Sequence, residues 1–310
     1  MILCVNLNAA IDRTVVVNSF RLGEIHRPEQ VIPTPGGKGC NVARGLKSLS
    51  ESPVVTGWVG GFAGQFIEGG LQREGIGTSF VHTDFESRIC TSILDSRTNI
   101  LTEIYEKGDA VPADKVVEFK KHFHSIIADF AAVTFSGSLP PGVPKDFYGQ
   151  VLEISRAANV PSFLDSSGEP FKLGLELGKP NLIKPNEKEF AELAGYEIKT
   201  LTEFKKAAVE ISTRYQTIVV VSMGAEGAIA ANQSQVFRVC PPQVTIKSAV
   251  GSGDCVLAGM VYGLTHSLSL EESLKFGVAA GTANALTVGA GVFSTQDFER
   301  MLADVTVVRA

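Results

Sequence analysis

The amino-acid sequence predicts an α/β protein with a mainly parallel central sheet flanked by helices and a small separate β-sheet set over one edge as a lid. Three observations lead there. Short apolar runs of strand length alternate with segments of helical period through most of the chain. Those runs, Ile2 to Leu7 and Thr217 to Ser222 among them, are continuously apolar, the pattern of strands buried on both faces. Two β-type segments then interrupt the alternation with no helix between them, which sets them outside the main sheet.

The 310 residues exceed the usual size of one domain, yet α/β units of this length are common. No linker, internal repeat or low-complexity segment divides the chain, so the expectation is a single unit over 1–310 with lid strands inserted at about 13–34 and 88–106. A formal net charge of -5 offers no basic field, which argues against nucleic acid as a partner and means any phosphate must be bound locally. The five cysteines form no C-x-x-C pair and are odd in number, so a reducing cytoplasm is expected rather than a disulfide framework. No run approaches the ~18 apolar residues of a membrane span, and Ile2 to Leu7 lacks the basic flank of a signal peptide and reads as the first strand.

Past that strand stand Asn8, Asp12 and Arg13, where open α/β sheets bind ligands, although an aspartate there also suits a plain turn. Thr14 to Val17 and the proline-rich stretch Gly23 to Pro35 read as edge strands of the lid. Pro35-Gly36-Gly37-Lys38-Gly39 leads into Asn41, Val42, Leu46 and Leu49, a helix whose glycine-rich start lets a ligand approach the backbone. Lys38 there suits an anionic substrate group or, equally, a solvated turn. Val54 to Val59 is a strand, Phe62 to Leu71 a helix ending at Gly75, and Arg88 to Leu94 with Thr98 to Tyr105 a hairpin turning at Asp95-Ser96-Arg97. With Thr14 to Val31 this hairpin forms the lid, a device for excluding water from a reaction, and it sets Arg88 toward the cleft.

From Ala113 the rhythm is regular: helix Val116 to Ile127, strand Ala131 to Phe135, loop 136–142, helix Phe147 to Ala157, strands Ser162 to Asp165 and Leu182-Ile183. Asn186 caps the next helix, and Glu189 three residues on completes either a capping box or an oxygen pair able to hold hydrated Mg²⁺. After Thr217 to Ser222 the glycines of Met223-Gly224-Ala225-Glu226-Gly227 admit a nucleotide or merely turn a hairpin into the β runs Ala228 to Ala231 and Gln235 to Val239. The chain then reaches its central stretch, Ser248-Ala249-Val250-Gly251-Ser252-Gly253-Asp254, followed by an apolar helix, Cys255 to Leu264, and a second, Leu274 to Leu286. Two glycines at a helix N-terminus build an anion nest on the positive end of the dipole, and Asp254 at its mouth suits a base taking a proton from an attacking hydroxyl. A glycine-rich turn with an aspartate N-cap gives the same local sequence.

Singly weak, these signals share a position: each follows a predicted strand, so all converge on one sheet edge. No G-x-x-x-x-G-K-[ST] loop and no G-x-G-x-x-G after the first strand is present, so the P-loop and Rossmann readings lose their usual support, and a Rossmann oxidoreductase stays as an alternative that nicotinamide cofactor binding would check.

Gly-Gly-Lys-Gly-Cys-Asn-Val-Ala-Arg (36–44), Ser-Gly-Ser-Leu-Pro-Pro-Gly (136–142), Lys-Pro-Asn-Glu-Lys-Glu (184–189) and Val-Gly-Ser-Gly-Asp (250–254) resemble, in order and over almost the whole chain, the PfkB family of ribokinase-like carbohydrate kinases. The start, Asn6 to Asp12 with Pro35 to Gly39, is most similar to the branch acting on hexose phosphates. The resemblance implies ATP-dependent phosphoryl transfer to a sugar hydroxyl, with fructose 1-phosphate as acceptor giving fructose 1,6-bisphosphate; tagatose 6-phosphate, fructose 6-phosphate and a non-catalytic sugar or nucleotide sensor are the alternatives. It implies Asp254 as base and the Gly251, Ser252 and Gly253 backbone as the stabiliser of the transferring charge. Asp12, Gly37, Lys38, Asn41, Arg88 and Ser138 are implied to hold the sugar phosphate. Lys184, Asn186, Ser222, Gly224 and Gly227, with Thr282 and Asn284 from the last apolar helix, are implied to contact ATP, and Asn186 with Glu189 to organise Mg²⁺. The family also implies a homodimer through the lid sheet, with Arg27 reaching the neighbouring subunit's site, and a monovalent cation near Ser248 and Val250. The chain departs from the family pattern in Ser252 where alanine is usual, Lys247-Ser248 where an Asp-Thr pair is usual, and Asn8-Ala9 where Asn-Pro is frequent. Because backbone N–H groups bind the anion, serine at 252 is compatible with the nest.

Overall fold

The computed structural model describes residues 1–309. The chain opens with β1 (Ile2–Val5), leaves the main sheet for β2 (Ala10–Val17) and β3 (Gln30–Gly36), and enters α1 (Lys38–Ser48). β4 (Pro53–Thr56), β5 (Trp58–Gly60), α2 (Gly61–Arg73), β6 (Gly77–Thr78) and β7 (Val81–Thr83) precede the lid strands β8 (Arg88–Asp95) and β9 (Ile100–Tyr105). Then come α3 (Ala113–Ile126), β10 (Ala132–Ser136), α4 (Phe147–Ala157), β11 (Ser162–Asp165), α5 (Gly168–Leu173) and β12 (Leu182–Ile183). α6 (Glu187–Ala194), α7 (Leu201–Tyr215), β13 (Ile218–Ser222), β14 (Ala228–Asn232) and β15 (Gln235–Cys240) follow. α8 (Ser252–Thr265), α9 (Leu270–Ala285), α10 (Thr295–Asp304) and β16 (Thr306–Arg309) complete the chain.

The main sheet runs β16-β15-β14-β13-β12-β11-β10-β1-β4-β6, with β6 through β13 parallel and the last three strands antiparallel. Each parallel strand is apolar because helices cover both faces. One layer packs Val42 and Leu46 of α1, Ile67 of α2 and Leu257 of α8 under the sheet; the other packs Phe119, Phe147 and Phe190 of α3, α4 and α6. The parallel strands therefore end together, and the polar residues after β1, β10, β11, β12 and β13 meet at one edge.

The lid is a four-stranded sheet, β3-β2-β8-β9, in which β2 and β8 run parallel. It begins earlier than the sequence pattern indicates: β2 starts at Ala10, so Asp12 lies within a strand, paired to Cys90 and Thr34, not in a turn. The lid hairpin turns at residues 96–99, one residue beyond the expected turn, because Asp95 still pairs with Ile100. The expected strand Val54 to Val59 divides at Gly57, where Trp58 leaves the main sheet to pair with Val81. Among the described residues no helix is long and apolar enough to cross a membrane.

Candidate active site

The central stretch forms a nest. Gly251 turns the chain into α8 with φ 79°, and a Cβ there would lie 2.6 Å from the Gly291 nitrogen, so only glycine fits both the conformation and the space. The N–H groups of Gly253 and Asp254, in the first turn of α8, have no backbone acceptor among the described residues and stand at the positive end of the dipole. The Ser252 N–H is spent on the Ala249 carbonyl at 3.2 Å, so it is not one of the nest's free donors as the sequence pattern had implied.

Asp254 is buried beside these donors. Asn41 Nδ2, from the first turns of α1, donates to its Oδ2 at 2.8 Å. Burial first and the negative charge of Asp165 second push the Asp254 carboxyl up to about 6, against the pull of Lys38, Asn41 and Lys184. A carboxylate so tuned is ionised at neutral pH and close enough to it to accept a proton efficiently.

Asp165, at the end of β11, is the functional-site residue the sequence pattern did not single out. Its Oδ1 accepts from Lys38 Nζ at 3.0 Å, and Lys184 Nζ lies 3.0 Å from its Oδ2. Burial would raise this carboxyl, but Lys184 and Lys38 overcome that and hold it below the usual carboxylate range. Lys38 is correspondingly held in its charged form: Asp165, Asp254 and Glu189 outweigh its own burial. Lys184 stands at the nest, since a Cβ on Gly253 would lie 3.5 Å from its Nζ, while Lys38 acts on Asp254 through its charge. The signal was present in the sequence, since an aspartate closing a core strand at a ligand-binding edge is where such a residue is expected.

The start of α1 is drawn tight against β1. Gly37 has φ 99°, and a Cβ on it would strike Asn6 Oδ1 at 2.5 Å. Asn6 donates to the Gly36 carbonyl at 3.0 Å, fixing the glycine run that presents Lys38 and Asn41. Asp12 from the lid receives the Gly37 N–H at 3.4 Å and is raised above the usual carboxylate range, chiefly by burial. On the far wall Arg88 Nη2 donates to the Asn8 carbonyl at 3.2 Å and Nη1 to that of Glu106 at 3.0 Å, while Ser138 Oγ accepts from Asn8 Nδ2 at 3.0 Å. An open groove of about 490 Å³ lies between the lid and this wall, bounded by Asn8, Arg88, Tyr105 and Ser138.

A second cleft, about 270 Å³, opens between Ser222, Gly224 and Gly227 and the helix positions Val256, Gly281 and Thr282. It reaches Ser252 and Gly253 at one end, so a planar apolar group seated between the walls would set its phosphates on the nest. Asn284 does not line it. Its amide is wholly buried, donating to Val250 O at 2.9 Å and Ser252 Oγ at 3.1 Å and receiving the N–H groups of Gly291 and Val292, so it fastens the loop from behind instead of touching a nucleotide.

Asn186 and Glu189 make a complete capping box, each side chain accepting the other's backbone N–H at 2.9 Å. The Glu189 carboxylate, which spends Oε2 on the cap, also acts through its charge on Lys38. Among the described residues no three His, Cys, Asp or Glu side chains are grouped to enclose a metal. That donor set fits a Mg²⁺ ion held mostly by waters and phosphate oxygens, and does not fit one caged by protein.

Free backbone donors at a helix N-terminus, a buried carboxylate raised to about 6 beside them, two lysines on a shared aspartate and a cleft that reaches the same donors suit a phosphotransferase with an alcohol acceptor. The profile of the pfkB family carbohydrate kinases matches residues 2–297. The chain is 33% identical over 311 residues to a tagatose-6-phosphate kinase of Staphylococcus epidermidis, covering 99% of both sequences. It superposes on Escherichia coli phosphofructokinase-2 in complex with potassium at TM-score 0.91, with 27% identity over 97% of this chain and 98% of that one. A protein named possible 1-phosphofructokinase from Thermotoga maritima gives TM-score 0.90 and 27% identity, covering 100% and 99%. The chain belongs to the pfkB family of carbohydrate kinases, with the ribokinase-like fold.

Proposed function

We propose that the protein transfers the γ-phosphoryl group of ATP to a hydroxyl of a ketohexose phosphate, with fructose 1-phosphate as acceptor and fructose 1,6-bisphosphate as product. The observation that carries this is Asp254, buried at the start of α8 beside the Gly253 nest, bonded to Asn41 of α1 and acted on by the charges of Lys38 and Lys184, with the second cleft reaching Ser252 and Gly253 next to it.

In this mechanism the sugar phosphate lies in the lidded groove against Asp12, Gly37, Lys38, Asn41, Arg88 and Ser138, and ATP lies along Ser222, Gly224, Gly227 and Thr282 with Lys184 at its phosphates. Asp254 accepts the proton of the acceptor hydroxyl as that oxygen bonds to the γ-phosphorus. The bond to the bridging oxygen of ADP breaks in line, and the N–H groups of Gly253 and Asp254, with Lys184 and Lys38, hold the equatorial charge. Glu189 and Asn186 would hold Mg²⁺ through its waters, the ion supplying neutralisation of the β- and γ-phosphate oxygens. The lid covers the groove so that water does not compete for the phosphoryl group.

That phosphofructokinase-2 was solved in complex with potassium supports use of a monovalent cation, for which the family resemblance points to the neighbourhood of Ser248 and Val250. The outer lid strand supports the homodimer: β9 is exposed along its length, with Ile100 and Ile104 on one face and Leu101 and Tyr105 on the other, apolar surface such as a second copy would cover and from which Arg27 would reach the neighbouring groove. Five free cysteines fit a cytoplasmic enzyme.

The 33% identity to a tagatose-6-phosphate kinase favours tagatose 6-phosphate as the second reading. ADP release measured with fructose 1-phosphate, tagatose 6-phosphate, fructose 6-phosphate and the unphosphorylated sugars decides between them. The greatest kcat/KM falls on fructose 1-phosphate by this proposal, and activity confined to neutral sugars would overturn it.

A further inference from the structure

Arg44 sits three residues after Asn41 on α1 and is buried, with four of its five N–H donors engaged. Nη1 donates to Asn41 Oδ1 at 3.2 Å, Nη2 to the Pro35 carbonyl at 2.6 Å, and Nε and Nη2 to the two oxygens of Glu74 at 2.6 and 3.1 Å. These contacts join three elements: α1, the last residues of lid strand β3, and the end of α2. An arginine has donors only, so the Asn41 atom facing it must be the oxygen. The nitrogen is thereby turned toward Asp254, where it donates at 2.8 Å.

We propose that Arg44, held by Glu74 and the Pro35 carbonyl, is a positioning residue that fixes the orientation of the Asn41 amide and through it the protonation state and aim of the Asp254 base. The inference deepens the kinase reading above and rests on it for its catalytic meaning. Without Arg44 only the ionised carboxylate itself selects the amide nitrogen, and once Asp254 is protonated the amide is free to turn its oxygen to the acid, which stabilises the neutral form. Asp254 is faced by Lys38 and Asn41 from α1, by Asp165 from β11, by Lys184 from the segment before α6 and by Cys255 on its own helix. Of these, Asn41 is the neutral donor that a rotation of about 180° converts to a neutral acceptor.

The chain of contacts also ties the base to the lid, since the same guanidinium nitrogen that reaches Glu74 holds the carbonyl where β3 leaves the lid. A shift of β3 therefore acts on Arg44 before it acts on Asp254.

The test reads Asp254 directly. With ¹³C-carboxyl aspartate incorporated and the Asp254 resonance assigned by its loss in Asp254→Asn, the titration midpoint is compared in wild type, Arg44→Met, Arg44→Lys and Glu74→Gln. The inference predicts a rise of about one pH unit in both Arg44 variants, because lysine keeps the charge but cannot hold Asn41, Pro35 and Glu74 together. A smaller rise is predicted in Glu74→Gln. In an Asn41→Leu background Arg44→Lys adds no further shift. Unchanged midpoints overturn the inference, as does a shift in Arg44→Met that is absent in Arg44→Lys, which would mean charge alone acts. If Arg44→Met does not fold, Arg44→Lys and Glu74→Gln carry the comparison. The readout is independent of turnover: a protein inactive on every sugar phosphate defeats the kinase reading and leaves the titration result standing. In the active enzyme the acid limb of kcat moves with the midpoint while the KM for ATP changes less than twofold.

Discussion

Replacing Asp254 by asparagine removes a buried charge while conserving shape, and its effect on stability follows from the shifted carboxyl. The folded protein holds this group at about 6 against 3.8 for the free side chain. The folded state therefore favours the neutral acid. Above pH 6 the ionised carboxylate costs about 3 kcal/mol, from 1.36 kcal/mol per pH unit over the two-unit difference. That cost declines as pH falls through 6 and is gone below about 4, where the group is neutral both folded and unfolded. At pH 7.5 Asp254→Asn is thus expected to be more stable, and with ~2.1 cal/mol/K of unfolding entropy per residue this corresponds to a rise in Tm of about 5 °C. The assay is calorimetric unfolding of both proteins at pH 7.5, 6 and 4.5. The variant's advantage is largest at pH 7.5 and falls to about a third of that at 4.5. A variant no more stable than wild type at pH 7.5, or an advantage independent of pH, would refute the claim that Asp254 is a strained, desolvated carboxylate.

The other predictions concern its surroundings. Asp165→Asn leaves the Lys38 and Lys184 ammonium groups without their shared counter-charge; thermal unfolding should show a loss of about 3 kcal/mol, as expected for one partner removed from a buried ion network, and the acid limb of activity should move down because Asp254 loses a negative neighbour. Gly251→Ala forces a Cβ to within 2.6 Å of the Gly291 nitrogen at a positive φ, so it should lower stability by at least ~1 kcal/mol and, by moving the nest donors, reduce kcat by about 100-fold in steady-state assays. Lys184→Met should raise the Kd of ATP measured by calorimetry at least tenfold while fructose 1-phosphate binding stays within about twofold.

How much of this was written in the sequence depends on how local each signal is. The nest was legible because Gly251, Ser252, Gly253 and Asp254 are contiguous and run directly into an apolar helix. The Asn186 and Glu189 box was legible because its two partners are three residues apart. Asp165 was not, since what distinguishes it from a turn aspartate is two lysines, one of them 127 residues earlier in the chain. Asn284 was misread for a related reason: a polar residue on a mostly apolar helix points either to a ligand or into a loop, and only the fold decides which. α7 went unmarked although the Thr200 and Glu203 capping box announces it, with Phe204, Ala207, Ala208 and Ile211 on its buried face. The lid strands were recognised as interruptions of the helix-strand rhythm. The parallel pairing of β2 with β8 was not, because it joins segments separated by two helices and five strands. Arg44 belongs to the same class: the sequence places it near Asn41, while Pro35 and Glu74 reach it only through tertiary packing.

The most direct test of the catalytic claim is single-turnover transfer of γ-labelled phosphate from ATP to fructose 1-phosphate by wild type and Asp254→Asn at pH 7.5, with ATP binding measured on the same samples. Label should pass to fructose bisphosphate in the wild type and at least 100-fold more slowly in the variant, with ATP affinity unchanged within about twofold. Transfer by the variant at the wild-type rate would contradict the assignment of Asp254 as the base.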